Sequence, residues 1–232
     1  MQLISSAPKD ADKDALKLKT HQLLTELRLI QKKIHEKKEY GVLVILQGMD
    51  ASGKDGVVKN LFTGLYPKFT SIYSFKAPTP EERAHDFLWR LHLRCPSKGM
   101  IHVFNRSYYE DLLVPDVHHL LDKKLLKNRY DHINNFEQML TDEGIVIIKF
   151  YLNISFQEQK SRFDERLKSP DKKWKYNTAD PYEARFWRTY YEAYSRILKR
   201  CNEPAWDIIP SDQKWYRDYC ITDLLVKRLS AL

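Results

Sequence analysis

Glycine is scarce in this chain, with 7 in 232 residues. That scarcity excludes collagen-like and low-complexity glycine-rich classes, and gives each glycine that does occur more meaning. Cysteine is scarcer still. Cys95, Cys201 and Cys220 are odd in number and widely spaced, so neither a disulfide framework nor a cysteine metal site is expected, and a reducing, cytoplasmic compartment fits. His85, His92, His102, His118 and His119 form no metal-ligand pattern with these cysteines. No apolar run reaches membrane-spanning length, and the opening MQLISSAPKD lacks the apolar core of a signal peptide. Internal repeats and low-complexity tracts are also missing. What remains is a chain with 43% hydrophobic and 30% charged residues, enough for a sizeable core inside a soluble shell. Its length suits a single domain over residues 1–232, with or without an inserted lid.

Glycine concentrates where it carries chemistry. In LQGMDASGKDG, Leu46 to Gly56, the residues Gly48, Gly53 and Lys54 fit the phosphate-loop spacing GxxxxGK. The apolar run Val42–Leu46 precedes it as a buried strand, and Val57–Phe62 can open a helix. This strand–loop–helix context is the one the motif needs. Backbone N–H groups around Ser52, Gly53, Asp55 and Gly56 can then turn toward an anion, aided by the helix dipole and the Lys54 charge. The eighth position departs from the pattern. Asp55 stands where a Ser or Thr hydroxyl usually holds Mg²⁺. Asp50, inside the loop, is a candidate for metal binding or for orienting an acceptor oxygen. A loop-capping turn residue is the plainer alternative.

Elsewhere the pattern alternates strands with helices. Residues 12–39 carry Leu16, Leu23, Leu27, Ile30 and Ile34 at three- and four-residue steps, predicting an amphipathic helix that packs on the core or on another subunit. Strands are predicted at Thr70–Phe75, Met100–Phe104, Ile145–Leu152 and Trp206–Ile209. Thr79-Pro80-Glu81-Glu82 reads as a capping box opening a helix that runs through Trp89 to about Leu93. Ser107-Tyr108-Tyr109-Glu110 reads as another, and Ser155-Phe156-Gln157-Glu158 caps the helix that follows it. Asp131–Asp142 is helical with Ile133, Phe136, Met139 and Leu140 as its apolar face. Asp180-Pro181-Tyr182-Glu183 caps a long helix reaching Arg200, and Asp212–Leu232 closes the chain as a helix.

This order implies an α/β fold, a parallel sheet with helices on both faces. Ligands gather at the carboxyl ends of such strands, so Gln47–Gly56, Lys76–Pro80 and Asn105–Asp111 should share one cleft. In IHVFNRSYYED, Asn105 occupies the place of a Walker-B Asp. Arg106 beside it projects as a phosphate clamp, and Glu110 and Asp111 add two carboxylates. The plainer alternative makes Glu110 only the third helical residue of its capping box and Asp111 only a partner of the helix dipole.

Net charge is +8, unevenly placed. Residues 160–200 hold twelve Lys/Arg against six Asp/Glu, which suits a polyanionic partner or a plain solvated face. Leu167–Asp180, interrupted by Pro170, is the candidate lid loop. Arg162 and Arg166 share a helix face there and, with Lys172, Lys173 and Lys175, could grip a phosphate chain. Trp174 and Tyr176 are candidates for base stacking, whereas Trp187, Tyr190 and Tyr194 recur at helical spacing and are expected in the core. No nucleic-acid-reading motif is present.

With these residues on the page, the chain resembles the type-2 polyphosphate kinases. The motifs that carry the resemblance are GMDASGKDG, SFKAPTPEERAHDFLWR, FNRSYYED, RFDERLKSPDKKWKY and PSDQKWYRDY, in order from about residue 15 to the end. The resemblance implies a P-loop kinase core of thymidylate-kinase type with a helical lid over about 160–185. It implies phosphoryl transfer between inorganic polyphosphate and AMP, ADP or ATP, with Mg²⁺ or Mn²⁺, in a homodimer or homotetramer that binds neither membrane nor nucleic acid. It makes Asp50, Lys54 and Arg106 active-site residues, with Glu110 and Asp111 beside them. Metal falls to Asp50 and Asp111, the phosphate chain to Arg162 and Arg166, and the nucleotide to Lys76, Arg83, Asn105, Arg106 and Glu110. Asn105 followed by Glu110-Asp111 looks like the subgroup that phosphorylates both nucleoside mono- and diphosphates. The competing reading is an ATP-dependent nucleoside monophosphate kinase of thymidylate-kinase type, against which Asp55 stands.

Overall fold

The structure, a computed structural model, describes residues 3–168 and 183–232. Among these, five parallel strands form one sheet in the order β2-β3-β1-β4-β5. They are β1 (Gly41–Gly48), β2 (Thr70–Ser74), β3 (Ile101–Asn105), β4 (Ile145–Asn153) and β5 (Trp206–Pro210). The central strand β1 is buried at every position, which explains why its sequence is a continuous apolar run rather than an alternating one. Its register with β3 sets Leu46 beside Asn105, and its register with β4 sets Gly48 beside Leu152. The carboxyl ends of β1 and β3 therefore finish side by side.

Side-chain alternation sends Leu43 and Ile45 to one face and Val42, Val44 and Leu46 to the other. The first face packs against α5 (Glu110–Val117), α6 (Lys123–Asp142) and α8 (Trp187–Arg200). The second packs against α1 (Lys13–Lys37), α2 (Lys54–Val57) with its π-helical continuation Val58–Phe62, and α9 (Lys214–Leu229). α1 lies on the core, with Leu23, Leu27, Ile30 and Ile34 buried. Its N-cap is Asp12, whose carboxylate accepts from the N–H groups of Asp14 and Ala15. Leu27 is 1% exposed, and truncating it to Ala should cost about 2–5 kcal/mol.

Several expected elements differ in detail. Thr79 does open a capping box, but the helix is interrupted. α3 (Pro80–Ala84) stops at His85, which is extended. The Asp86 carboxylate then accepts from the N–H groups of Leu88 and Trp89 and starts α4 (Trp89–His92). α6 begins eight residues before Asp131, because Asp122 caps it, and Met139 faces outward at 43% exposure. α7 (Phe156–Lys168) is capped by Ser155, whose hydroxyl accepts from Glu158 N–H at 3.2 Å. The Glu158 carboxylate accepts from Arg162 at 2.8 Å. The lid residues Lys172, Lys173, Trp174, Lys175 and Tyr176, and the cap Asp180-Pro181-Tyr182, lie outside the described residues.

Candidate active site

Lys54 begins α2 at the mouth of β1, and its side chain turns back under the loop. Its Nζ donates to the carbonyls of Gly48 at 2.5 Å and Met49 at 3.2 Å. Burial lowers its pKa to about 8, with the neighbouring Arg106 charge pushing the same way, while Asp50, Glu110 and Asp55 pull it back up. Two glycines are required by geometry. Gly48 has φ 150°, and a Cβ there would stand 2.6 Å from the Leu152 carbonyl. Gly53 has φ 103°, and a Cβ there would collide with the Arg217 guanidinium. Ser52 is fully buried, and its Oγ has no partner among the described residues.

The loop is held from outside by groups the sequence did not single out for that purpose. Arg162 on α7 is 7% exposed and is spent on backbone. One amino group donates to the carbonyls of Ala51 at 2.8 Å and Ser52 at 3.2 Å. The other donates to those of Ser211 at 2.7 Å and Asp212 at 2.8 Å. This corrects the expectation of a lid cation sharing a face with Arg166: Arg162 fixes the loop carbonyls outward, which leaves the opposing N–H groups for an anion. Gln159, one turn earlier, donates to the Asp50 carbonyl at 2.8 Å. Arg217 of α9 is buried at 1% against Gly53 and Gly56 and paired with Asp218 at 2.6 Å. Arg166 lies with its guanidinium over the Phe163 ring, 5.3 Å from the centroid.

Across the cleft, Arg106 follows β3 with φ 66°, a left-handed turn that aims its side chain at the loop. It donates to Asp50 Oδ1 at 3.0 Å, with both side chains nearly half exposed. Glu110 is not the third residue of a capping box. It is the first residue of α5, and Ser107 Oγ accepts from Tyr109 N–H instead, at 3.3 Å. The Glu110 carboxylate faces the cleft, where the Gln47 amide, turned to satisfy both its ends, donates to it at 3.2 Å. Burial raises its pKa, while the Arg106 and Lys54 charges oppose the rise.

Gly48, Asp50, Lys54, Arg106 and Glu110 thus line one cleft. Its far wall carries Leu113, Val114, Phe163, Trp187, Tyr190 and Tyr194. Trp187 and Tyr190 are only partly buried, so they form the cleft wall rather than the core expected for them. Tyr194 is buried and accepts from Gly48 N–H through its hydroxyl at 3.3 Å.

Other expected residues stand apart. Asp111 is not on the cleft wall. Its Oδ2 lies 3.6 Å from Arg90, and its carbonyl accepts from Arg129 at 2.8 Å. Burial raises its carboxyl pKa against the pull of these arginines. The pairing of Asp50 with Asp111 around a metal is therefore not assembled here: Glu110 faces the cleft, and the next residue on the helix, Asp111, points about 100° away from it. Lys76 and Arg83 are exposed and line no part of the cleft. The Lys76–Pro80 segment is instead tethered through its Lys76 carbonyl, which accepts from buried Arg90 at 2.8 Å. Asn105 donates to Asp55 Oδ1 at 2.7 Å, behind the loop.

Comparison with known proteins agrees with this geometry. The family described as Polyphosphate kinase 2 (PPK2) matches residues 10–231. The chain is 41% identical over 208 residues to a protein of Meiothermus ruber named AMP/ADP-polyphosphate phosphotransferase, covering 89% of this chain and 78% of that one. It is 36% identical over 217 residues to an ADP-polyphosphate phosphotransferase of Rhodopseudomonas palustris, covering 88% and 75%. The crystal structure of Polyphosphate Kinase 2 from Arthrobacter aurescens TC1 superposes with a TM-score of 0.94 at 37% identity, over 100% of this chain and 86% of that one.

Proposed function

The chain belongs to the polyphosphate kinase 2 family, and we propose that it moves the terminal phosphoryl group of inorganic polyphosphate onto AMP and onto ADP. The observation that carries this reading is the cleft itself, where the Lys54 loop faces Arg106 and Glu110. The acceptor is a phosphate oxygen, already mostly ionised near neutral pH because its second pKa is about 6, so no general base is needed. An acceptor oxygen attacks the terminal phosphorus, the bridging P–O bond breaks, and the shortened chain leaves with the bond's electrons. Donor and acceptor are both anions, so the protein's task is positioning and charge neutralisation. Loop N–H groups and Lys54 hold the transferring phosphoryl, and Arg106 spans toward the acceptor from the opposite wall.

A divalent cation fits this donor set. Asp50 on the loop and Glu110 across from it are hard oxygen ligands lining one cleft, and no cluster of three or more ligating side chains occurs among the described residues. Mg²⁺ and Mn²⁺ are suited to such sites, taking their remaining ligands from phosphates and water. When bound, the ion neutralises the phosphates further. Asp111 enters this reading only as the partner that fixes Arg90. An ATP-dependent monophosphate kinase is not favoured, since Asp55 offers no hydroxyl and its carboxylate is engaged by Asn105. Among the described residues no helix is long and apolar enough to cross a membrane, and the proposal places the enzyme in the cytoplasm, where its nucleotide acceptors are. Assembly as a homodimer or homotetramer completes the proposal and is read by light scattering. Supplying polyphosphate with AMP or with ADP and separating products by chromatography tests acceptor range. ADP from the first and ATP from the second are expected, and a product from neither would overturn it.

A further inference from the structure

Glu137 on α6 is fully buried and lies outside the cleft. Its Oε1 accepts from the hydroxyls of Tyr108 and Tyr109, each at 2.7 Å. Its Oε2 accepts from Lys149 Nζ at 2.6 Å. Lys149 is also fully buried, in the middle of β4, and donates further to Tyr109 Oη and to the Cys201 carbonyl, both at 3.0 Å. Groups from β4 and from the turn between β3 and α5 thus meet at one carboxylate on α6, and Lys149 ties them to the end of α8. Burial pushes Glu137 up and Lys149 down, and their mutual attraction draws both back.

Such a pair is a poor device for stability alone. Removing two charges from water is costly, and well-packed apolar residues often serve as well or better. Its satisfied network does something apolar packing cannot: it holds two hydroxyls at fixed points. Those hydroxyls belong to the two residues between Ser107 and Glu110. Two residues before Tyr108, Arg106 adopts φ 66°, a left-handed conformation unfavourable for an ordinary L-residue that persists only where its surroundings impose it. The turn's other bonds are local or to the backbone: Arg106 N–H donates to the Leu46 carbonyl, Glu110 N–H to the Ser107 carbonyl and Asp111 N–H to the Tyr108 carbonyl, each at 3.1 Å, and Tyr109 N–H to Ser107 Oγ at 3.3 Å. None of them holds the tyrosine side chains.

We propose that Glu137 is a positioning residue for phosphoryl transfer. Through the hydroxyls of Tyr108 and Tyr109 it fixes the turn that aims Arg106 and Glu110 into the cleft, with Lys149 holding the carboxylate in place. This rests on the reading of Arg106 and Glu110 as cleft residues of a phosphotransferase.

Two double variants separate positioning from stability. Both delete the ion pair, but E137Q/K149M keeps an oxygen for the tyrosine hydroxyls and E137L/K149M does not. Three quantities are measured: the melting temperature, kcat and KM for AMP with polyphosphate as donor, and amide hydrogen exchange over residues 105–112. Both variants should melt within a few degrees of each other. E137L/K149M should lose kcat at least about tenfold at little-changed KM, with faster exchange in that segment. E137Q/K149M should recover most of both. Equal kcat and equal exchange in the two variants would overturn the proposal, as would activity that merely tracks melting temperature. If E137L/K149M does not fold, Tyr109→Phe carries the same comparison, and wild-type kcat and exchange there would overturn it. The exchange readout is independent of the reaction, so wild-type protein inactive with polyphosphate would refute the functional reading and leave the positioning claim to be decided by exchange.

Discussion

Asn105 Nδ2 donates to Asp55 Oδ1 across 2.7 Å, so the two departures from the phosphate-binding pattern are one exchange. In the usual arrangement the loop supplies a hydroxyl and the neighbouring strand a carboxylate. Here the carboxylate sits on the loop and the amide donor on the strand. Asp55 gains doubly, since it also lies in the first turn of α2, where the helix dipole favours negative charge. Asn105→Asp would set two carboxylates within hydrogen-bond reach and should cost about 1–3 kcal/mol. The double variant D55N/N105D restores one donor and one acceptor and should regain most of the loss. Thermal melts of the singles and the double check this, and a double variant no more stable than N105D would contradict it.

Lys54 should impose an alkaline limb on the reaction. Its pKa is lowered to about 8, chiefly by burial, so the free enzyme loses this charge as pH rises through that value. Since kcat/KM reports ionisations of the free enzyme, it should decline with a midpoint near 8. The limb in kcat should lie higher, because bound phosphate favours the protonated amine. Lys54→Arg should remove the limb, and Lys54→Ala should lower transfer by roughly 10²–10³-fold. A kcat/KM flat through the alkaline range would contradict the assignment.

Arg162 should behave as part of the loop. Its fork reaches four carbonyls, which the single ammonium of lysine cannot match. Arg162→Lys should therefore lower kcat about 10–100-fold, the scale of an ångström-sized misplacement. The salt dependence of KM for polyphosphate should stay as in the wild type. An unchanged kcat with a flattened salt dependence would make Arg162 a direct contact of the phosphate chain.

Glu110 is placed to serve the shorter acceptor. A nucleoside monophosphate leaves one more phosphate-length of cleft to fill than a diphosphate does, and a carboxylate-held metal or water network suits that gap. Glu110→Gln should depress AMP phosphorylation more than ADP phosphorylation. Because Glu110 is not part of a capping box, the melting temperature should hold. An AMP-to-ADP rate ratio at the wild-type value would rule this role out.

The sheet and the loop were legible because local pattern decides them. Val42–Leu46 is a continuous apolar run and became the central strand, Ile145–Leu152 is an apolar run broken only by Lys149 and became its neighbour, and Gly48, Gly53 and Lys54 carry their chemistry in their spacing. Family motifs added polyphosphate, which periodicity alone does not specify. What was hidden depends on partners distant in sequence. Ser107-Tyr108-Tyr109-Glu110 has the letters of a capping box, yet Glu137, nearly thirty residues on, captures both tyrosine hydroxyls and Glu110 turns to the cleft. Arg162 reads as a surface cation until its carbonyl partners, from residues about fifty and a hundred and ten positions away, are seen. Asp111 reads as a second cleft carboxylate, and only buried Arg90 reveals that it faces elsewhere. The helix expected from Thr79 to Leu93 was broken by Asp86, a residue that competes for backbone N–H groups.

The donor is the central claim, and a donor exchange tests it most directly. The protein is incubated with AMP and Mg²⁺, with either polyphosphate or ATP as the phosphoryl source, and the initial rate of ADP formation is followed, with Lys54→Ala as control. The expected result is rapid ADP formation from polyphosphate, slowed roughly 10²–10³-fold in Lys54→Ala, and little with ATP. ADP formation that requires ATP and ignores polyphosphate would contradict it.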